Sequence, residues 1–282
     1  MTAFRDYESA ADGVVQLYKT NHTRQTLKHV LEMKEQLATG SRRPLLLRLP
    51  PLGVALIFWT HKADQPKGFG EKLSLWAVLQ KLDTLVDESD PDTANAQTQH
   101  ALQSAEKARR DGQPRWMILA CLIHDLGKML CLHGYEQWTV VGDTFPVGCA
   151  FSQKIVYSEF FEHNEDSRDP KLNTKYGIYA PNCGLMHVHM SYGHDEYLWS
   201  VIKEFVPFEL AYVIRFHSFY PWHREGAYQH LLNETDRQML PHILEFNKYD
   251  LYSKTEALVD IEAVKPFYEQ LIAEFFPPEI LF

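Results

Sequence analysis

Apolar residues return at three- and four-residue steps through most of this chain, the spacing that gathers them onto one face of an α-helix. Residues 12–37 show it first, with Val14, Val15, Leu17 and Tyr18 followed by Val30 and Leu31. Residues 73–86 repeat it with Leu75, Leu79, Leu82 and the pair Leu85/Val86. The same pattern predicts helices over 99–110, 115–133, 195–205, 208–219, 235–253 and 263–275. Strand-type alternation is weak throughout, and Trp138-Thr139-Val140-Val141 is its best short candidate. Loops rich in Asp, Pro and Gly separate the helices, notably over 87–92 and along 143–193. The expected fold is all-α, mainly helical, in one domain over residues 1–282.

One segment does not share the pattern. Residues 41–67 combine basic residues, prolines and an apolar run from Leu52 to Trp59. That run is too short to span a bilayer, which takes about 20 apolar residues, and Arg48 with Pro50-Pro51 interrupts its approach. It reads either as a surface loop or as a short anchor for a membrane or partner.

Composition narrows the class. A chain of 282 residues can bury a sizeable core. A net charge of −9, with no long Lys/Arg run, argues against a nucleic-acid partner. Cys121, Cys131, Cys149 and Cys183 are scattered, with no CxxC and no signal-peptide pattern. They are expected to be reduced thiols in a cytoplasmic protein, not a disulfide framework or a zinc knuckle.

Candidate chemistry begins with His124-Asp125, which closes the apolar run Trp116 to Ile123. A carboxylate buried without a partner costs several kcal/mol, roughly, so a cation is expected beside Asp125. Other inward-pointing donors follow from helix faces. His217 continues the face of Leu210 and Val213/Ile214, and Asp250 continues that of Ile243 and Phe246/Asn247. His100 opens the helix 100–110, and His194 heads the next one. Taken singly, a His on an apolar face is more often a core residue bonded to a carbonyl. Together, four imidazoles and two carboxylates are enough for two metal ions, with Asp125 in the bridging role. Nitrogen and oxygen donors without thiolate suit iron, manganese, zinc or cobalt. Lys128, four residues after His124, either leans over the same face toward a substrate or complements the helix C-terminus. Such a centre could activate water for phosphoester hydrolysis or, with redox-active irons, bind and reduce oxygen.

The spaced set His100, His124-Asp125, His194, His217 and Asp250 resembles the HD-domain metalloprotein superfamily. The surrounding residues resemble its myo-inositol oxygenase branch. The match runs through 85–92, Leu122-Ile123-His124-Asp125-Leu126-Gly127-Lys128, 140–149, Ser191-Tyr192-Gly193-His194-Asp195-Glu196-Tyr197, 214–223 and 245–252. The resemblance implies a helical HD-type bundle around two iron ions in a mixed-valent Fe(II)/Fe(III) pair. His100, His124 and Asp250 would hold one iron, His194 and His217 the other, and Asp125 would bridge them. His124, Asp125 and Lys128 would serve catalysis. Arg5, Tyr18, Asp87, Asp90, Lys128, Gly142, Asp143, His217 and Ser218 would contact the substrate. For Asp87 and Asp90, turn and capping chemistry around Pro91 is the competing reading.

The implied reaction opens the ring of myo-inositol with O2 to give D-glucuronate. Metal chelation lowers the pKa of a hydroxyl and holds the reacting carbon in position. The expected partners are this small polyol and O2, with no nucleic acid or membrane, and the expected state is a monomer. The alternatives are a metal-dependent HD phosphohydrolase and a catalytically inactive relative with a binding role. Residues 41–67 interrupt what would be a short connection between Gly40 and Gly68-Phe69. They are expected to be an insertion, or an artefact of the gene structure such as a retained intron. The chain also starts shortly before Phe4-Arg5-Asp6-Tyr7, so its N-terminus is short for the family pattern.

Overall fold

A computed structural model of the chain describes residues 12–39, 69–87, 96–252 and 257–282. Twelve α-helical segments occur among them. They are α1 (Asp12–Arg24), α2 (Leu27–Thr39), α3 (Leu75–Leu82), α4 (Gln97–Arg110), α5 (Arg115–Ile123), α6 (Met129–Leu132), α7 (Gln137–Val140), α8 (His194–Ile202), α9 (Phe208–Phe216), α10 (Tyr220–His223), α11 (Glu234–Tyr252) and α12 (Ile261–Ala273). The only sheet among the described residues is a pair of two-residue strands, β1 (Lys72–Leu73) and β2 (Ile280–Leu281). They are antiparallel, with Lys72 opposite Leu281 and Leu73 opposite Ile280. The all-α expectation therefore holds. No described helix is long and apolar enough to cross a membrane.

The helices form for reasons visible in their residues. Ser74 caps α3, its Oγ accepting from the Ala77 N–H at 3.2 Å. Five of the eight α3 residues, Leu75, Trp76, Val78, Leu79 and Leu82, are buried. Small residues on α4 (Ala101, Ala105, Ala108) let α5 pack closely against it. Seven consecutive positions of α5, Met117 to Ile123, are buried, so this helix is apolar on every side and runs through the core. Helices α9 and α11 pack against it as well, and α8 packs on α9. The four helices α4, α5, α9 and α11 thus meet around the inner end of α5.

Four sequence expectations need correction. The helix over 115–133 is not continuous: after Ile123 it tightens into a 3-10 turn, His124–Lys128, before α6. The helix over 73–86 ends at Leu82, and Val86 is exposed. Of the strand candidate 138–141, residues 138–140 lie in α7, and Val141 is the extended residue that follows it. Its valines are buried, so their apolarity reflects burial and not pleating. Residues 12–37 form two helices, parted at Gln25-Thr26. There the Gln25 side chain accepts from the Tyr192 N–H at 3.0 Å and donates to the Tyr192 carbonyl at 2.9 Å. That pairing ties the break to the segment before His194. Residues 41–67 lie outside the described residues.

The long stretch after α7 has no α-helix until α8. It winds through 3-10 turns at Ser158–His163, Glu165–Arg168 and Leu185–His187 and packs against α1. Asn164 fixes it there, donating to the carbonyls of His22 at 2.7 Å and Gln25 at 3.0 Å.

A buried ion cluster joins α2, α8 and α9. Glu196 pairs with Arg215 at 2.7 Å and with Lys34 at 2.7 Å, and Arg215 also donates to the carbonyls of Met186 and Val188. Burial raises the Glu196 carboxyl, but Arg215 and Lys34 outweigh it and hold the group down at about 2. A depressed carboxylate stabilises the fold above its unfolded value of 4.5, and that contribution disappears as pH falls toward about 2. Glu196→Gln should cost about 3–5 kcal/mol near neutral pH, because two buried cations lose their counter-charge. Urea unfolding at pH 7 and at pH 3 checks this: the gap between wild type and variant should narrow at the acid end. An equal gap at both pH values would show that Glu196 acts through shape alone.

Candidate metal centre

The tightened turn after α5 determines how the site is built. In a 3-10 turn residues three apart eclipse each other, so Lys128 stands over Asp125 and not over His124 as a continuous helix would have it. Lys128 Nζ donates to Asp125 Oδ2 at 2.8 Å and pairs with Asp87 Oδ2 at 2.7 Å. Gly127 lets the turn close on its neighbour. A Cβ at this position would overlap the carbonyl oxygen of His194, the first residue of α8. The glycine therefore brings Asp125 to His194.

Two donor clusters result, and Asp125 belongs to both: His100, His124 and Asp125 form one, Asp125, His194 and His217 the other. Donor atoms within each lie within 4.8 Å of one another. Asp250, from α11, completes the first. Its Oδ1 is 3.1 Å from His100 Nε2 and 3.3 Å from His124 Nε2. The two oxygens of Asp125 face opposite ways. Oδ2 is 3.3 Å from His124 Nε2 and 4.0 Å from His100 Nε2, while Oδ1 is 3.6 Å from His194 Nε2. Phe246 closes the floor, its ring edge-on to both His124 and His217.

Three of the four imidazoles are oriented by backbone carbonyls. Nδ1 of His124 donates to Cys121 O at 3.0 Å, that of His194 to Val140 O at 2.8 Å, and that of His217 to Ile214 O at 2.8 Å. A carbonyl can only accept, so each Nδ1 carries a proton and each Nε2 turns inward as a donor atom for a cation. Between His194 and His217 the two Nε2 atoms stand 3.3 Å apart. At that distance the two atoms are satisfied by a proton shared between the rings or by a cation that both bind. The donor set thus fits metal.

The electrostatics agree. Burial opposes charge on His124, yet Asp125 and Asp250 outweigh it and push the ring up to about 10. Burial likewise opposes charge on Asp125 and Asp250. Their neighbours, His124 and Lys128 for the first and His124 with the hydrogen bond from His100 for the second, hold both carboxyls well below the usual range. Lys128 is raised, the two carboxylates overcoming its burial. The pocket demands positive charge, which a metal ion supplies while displacing ring protons. His217 is lowered by burial, with His194 and His124 adding to the effect, which favours its neutral form.

The remaining expected residues fall around this centre. Asp87 and Asp143 are buried, and Tyr18 from α1 donates its hydroxyl to Asp143 Oδ1 at 3.3 Å. Gly142, at φ +97°, lies under the Tyr18 ring, where a left-handed backbone excludes most other residues. Ser218 Oγ is 3.5 Å from His194 Nε2. Arg5 and Asp90 lie outside the described residues.

Residue-by-residue reading missed several supporting groups. His223 donates from Nε2 to the His217 carbonyl at 3.0 Å, and the Asn247 amide contacts its Nδ1 at 3.2 Å. Asp195, fully buried beside His194, was also missed. Its only sequence signal was a second acid directly after a candidate ligand in an inward-facing helix start.

Gly127→Ala should separate Asp125 from His194 and weaken metal at the second cluster, while His100, His124 and Asp250 keep theirs. The expected loss is about 10- to 100-fold in metal affinity at the Asp125, His194 and His217 cluster, measured by anaerobic metal titration. Unchanged metal affinity would show that the turn can shift without consequence.

Comparison with known proteins now bears on this geometry. A family model described as myo-inositol oxygenase matches residues 59–282. An inositol oxygenase of Danio rerio is 44% identical over 283 residues, covering 98% of this chain and 92% of its own. An inositol oxygenase of Dictyostelium discoideum is 42% identical over 286 residues, covering 98% and 89%. Inositol oxygenase 2 of Arabidopsis thaliana is 41% identical over 289 residues, covering 99% and 82%. Similarity of this extent, across a helical fold with paired His/Asp clusters, leaves one assignment: the chain belongs to the myo-inositol oxygenase family of enzymes.

Proposed function

We propose that this oxygenase opens the ring of myo-inositol with O2 to give D-glucuronate, using two iron ions. His100, His124 and Asp250 would hold one iron, His194 and His217 the other, and Asp125 would bridge. The observation that carries the proposal is the divided Asp125 carboxylate, with Oδ2 toward His100 and His124 and Oδ1 toward His194. When bound, the mixed-valent Fe(II)/Fe(III) pair supplies electrons for oxygen chemistry and Lewis acidity that lowers a hydroxyl pKa.

The chain's own residues do the rest. Lys128 keeps its proton, so its ammonium supplies positive charge next to Asp125 and can hold an ionising substrate hydroxyl. Asp87 anchors that ammonium from the other side. Asp143, oriented by the Tyr18 hydroxyl, accepts from hydroxyls of the ring. Ser218 and the Gly142 backbone add short, unobstructed polar groups, and His217 borders the substrate as well as the metal. Arg5 and Asp90 complete the proposed contact set from outside the described residues. A pocket built to bond hydroxyls selects a polyol, because an analogue lacking one leaves a buried polar group unpaired. The same reading takes residues 1–282 as one domain carrying 41–67 as an insertion, in a cytoplasmic monomer.

The test is inositol-dependent O2 uptake by protein reconstituted with iron and a mild reductant, with glucuronate measured in the same tube. Uptake matched by glucuronate is expected. Two bound irons without uptake would overturn the reading for this chain and favour an inactive relative or a phosphohydrolase. Repeating the assay after deletion of 41–67 tells whether that segment blocks turnover.

A further inference from the structure

Three residues that each directly follow a site residue meet at one point. Thr144 follows Asp143, Asp195 follows His194, and Ser218 follows His217. The Thr144 hydroxyl donates to Asp195 Oδ2 at 3.0 Å, and the Ser218 backbone N–H donates to the same oxygen at 3.3 Å. The Thr144 N–H closes the triangle by donating to the Ser218 carbonyl at 3.0 Å. All three residues are buried, Asp195 completely. The remaining oxygen, Asp195 Oδ1, lies 2.9 Å from His194 Nε2 without the alignment of a hydrogen bond.

We propose that Asp195 is a positioning residue. Its carboxylate locks the segment bearing Asp143 and the end of α9 bearing His217 onto the start of α8 bearing His194. The second metal position and the polyol-binding face then keep a fixed spacing. The inference rests on the proposed function for the roles of Asp143, His194 and His217. Physically, an ionised acceptor makes its hydrogen bonds roughly twice as strong as a neutral one. Here one such oxygen is shared by the Thr144 hydroxyl and the Ser218 N–H, so it ties both segments to α8 at a single point beside His194. Asp195 lies outside the two clusters of close donor atoms and reaches both segments through Thr144 and Ser218.

The test uses Asp195→Asn, Thr144→Val and Thr144→Ser in the full chain. Anaerobic titration with Fe(II) should find two ions on wild type. In Asp195→Asn one of them should bind about 10- to 100-fold more weakly. In Thr144→Val, KM for myo-inositol should rise up to about tenfold, the worth of one hydrogen bond, with a smaller change in kcat. Thr144→Ser, which keeps the hydroxyl, should restore the wild-type KM. Wild-type iron affinities and KM in both Asp195→Asn and Thr144→Val, with only a lower Tm, would overturn the proposal and leave a purely structural carboxylate. If Asp195→Asn does not fold, the contrast between Thr144→Val and Thr144→Ser decides. A wild type that binds two irons but does not turn over inositol would sink the oxygenase reading, while the iron titration would still judge Asp195.

Discussion

Everything at the centre of this molecule depends on a single carboxylate being reached from two sides. Asp125 faces His100 and His124 with one oxygen and His194 with the other, while Lys128 neutralises part of its charge. A group so placed has no acceptable environment other than a cationic one. The helices that approach it are accordingly those that carry donors, and the apolar surfaces of α4, α5, α9 and α11 serve to hold those donors at fixed range.

The same logic of concentrated charge recurs two residues beyond His194. Glu196 draws Lys34 and Arg215 into a second buried cluster, so α8 is pinned from behind while His194 at its head faces the paired His/Asp clusters. Buried ion clusters add little net stability over apolar packing, but they penalise misplacement heavily. In this fold they mark the places where a displacement of α8 would be most damaging.

The sequence showed the fold class and most of the donors, for unequal reasons. His217 and Asp250 were legible because a core-facing helix imposes its period on polar residues as well as apolar ones. His124-Asp125 stood out because charge is conspicuous in an apolar run. His100 and His194 acquired meaning only beside the others and through the family resemblance. The 3-10 turn at His124 was not legible, since it arises from the contact of Gly127 with a helix nearly seventy residues away. The strands β1 and β2 are too short to show alternation. Val140 and Val141 mimic a strand while serving a buried helical turn. Thr144, Asp195 and Ser218 join across separations that no local spacing encodes.

The carbonyls that orient the ligand histidines differ in where they come from. For His124 and His217 the acceptor lies three residues back on the same helix. Those rings are aimed as soon as α5 and α9 wind. For His194 the acceptor is Val140, fifty-four residues earlier and across the irregular stretch. Its aim therefore carries the loop-closure entropy of that whole segment, which the other two do not. Local helix winding thus aims two of the three rings, whereas the aim of His194 exists only once the chain between Val140 and α8 has closed.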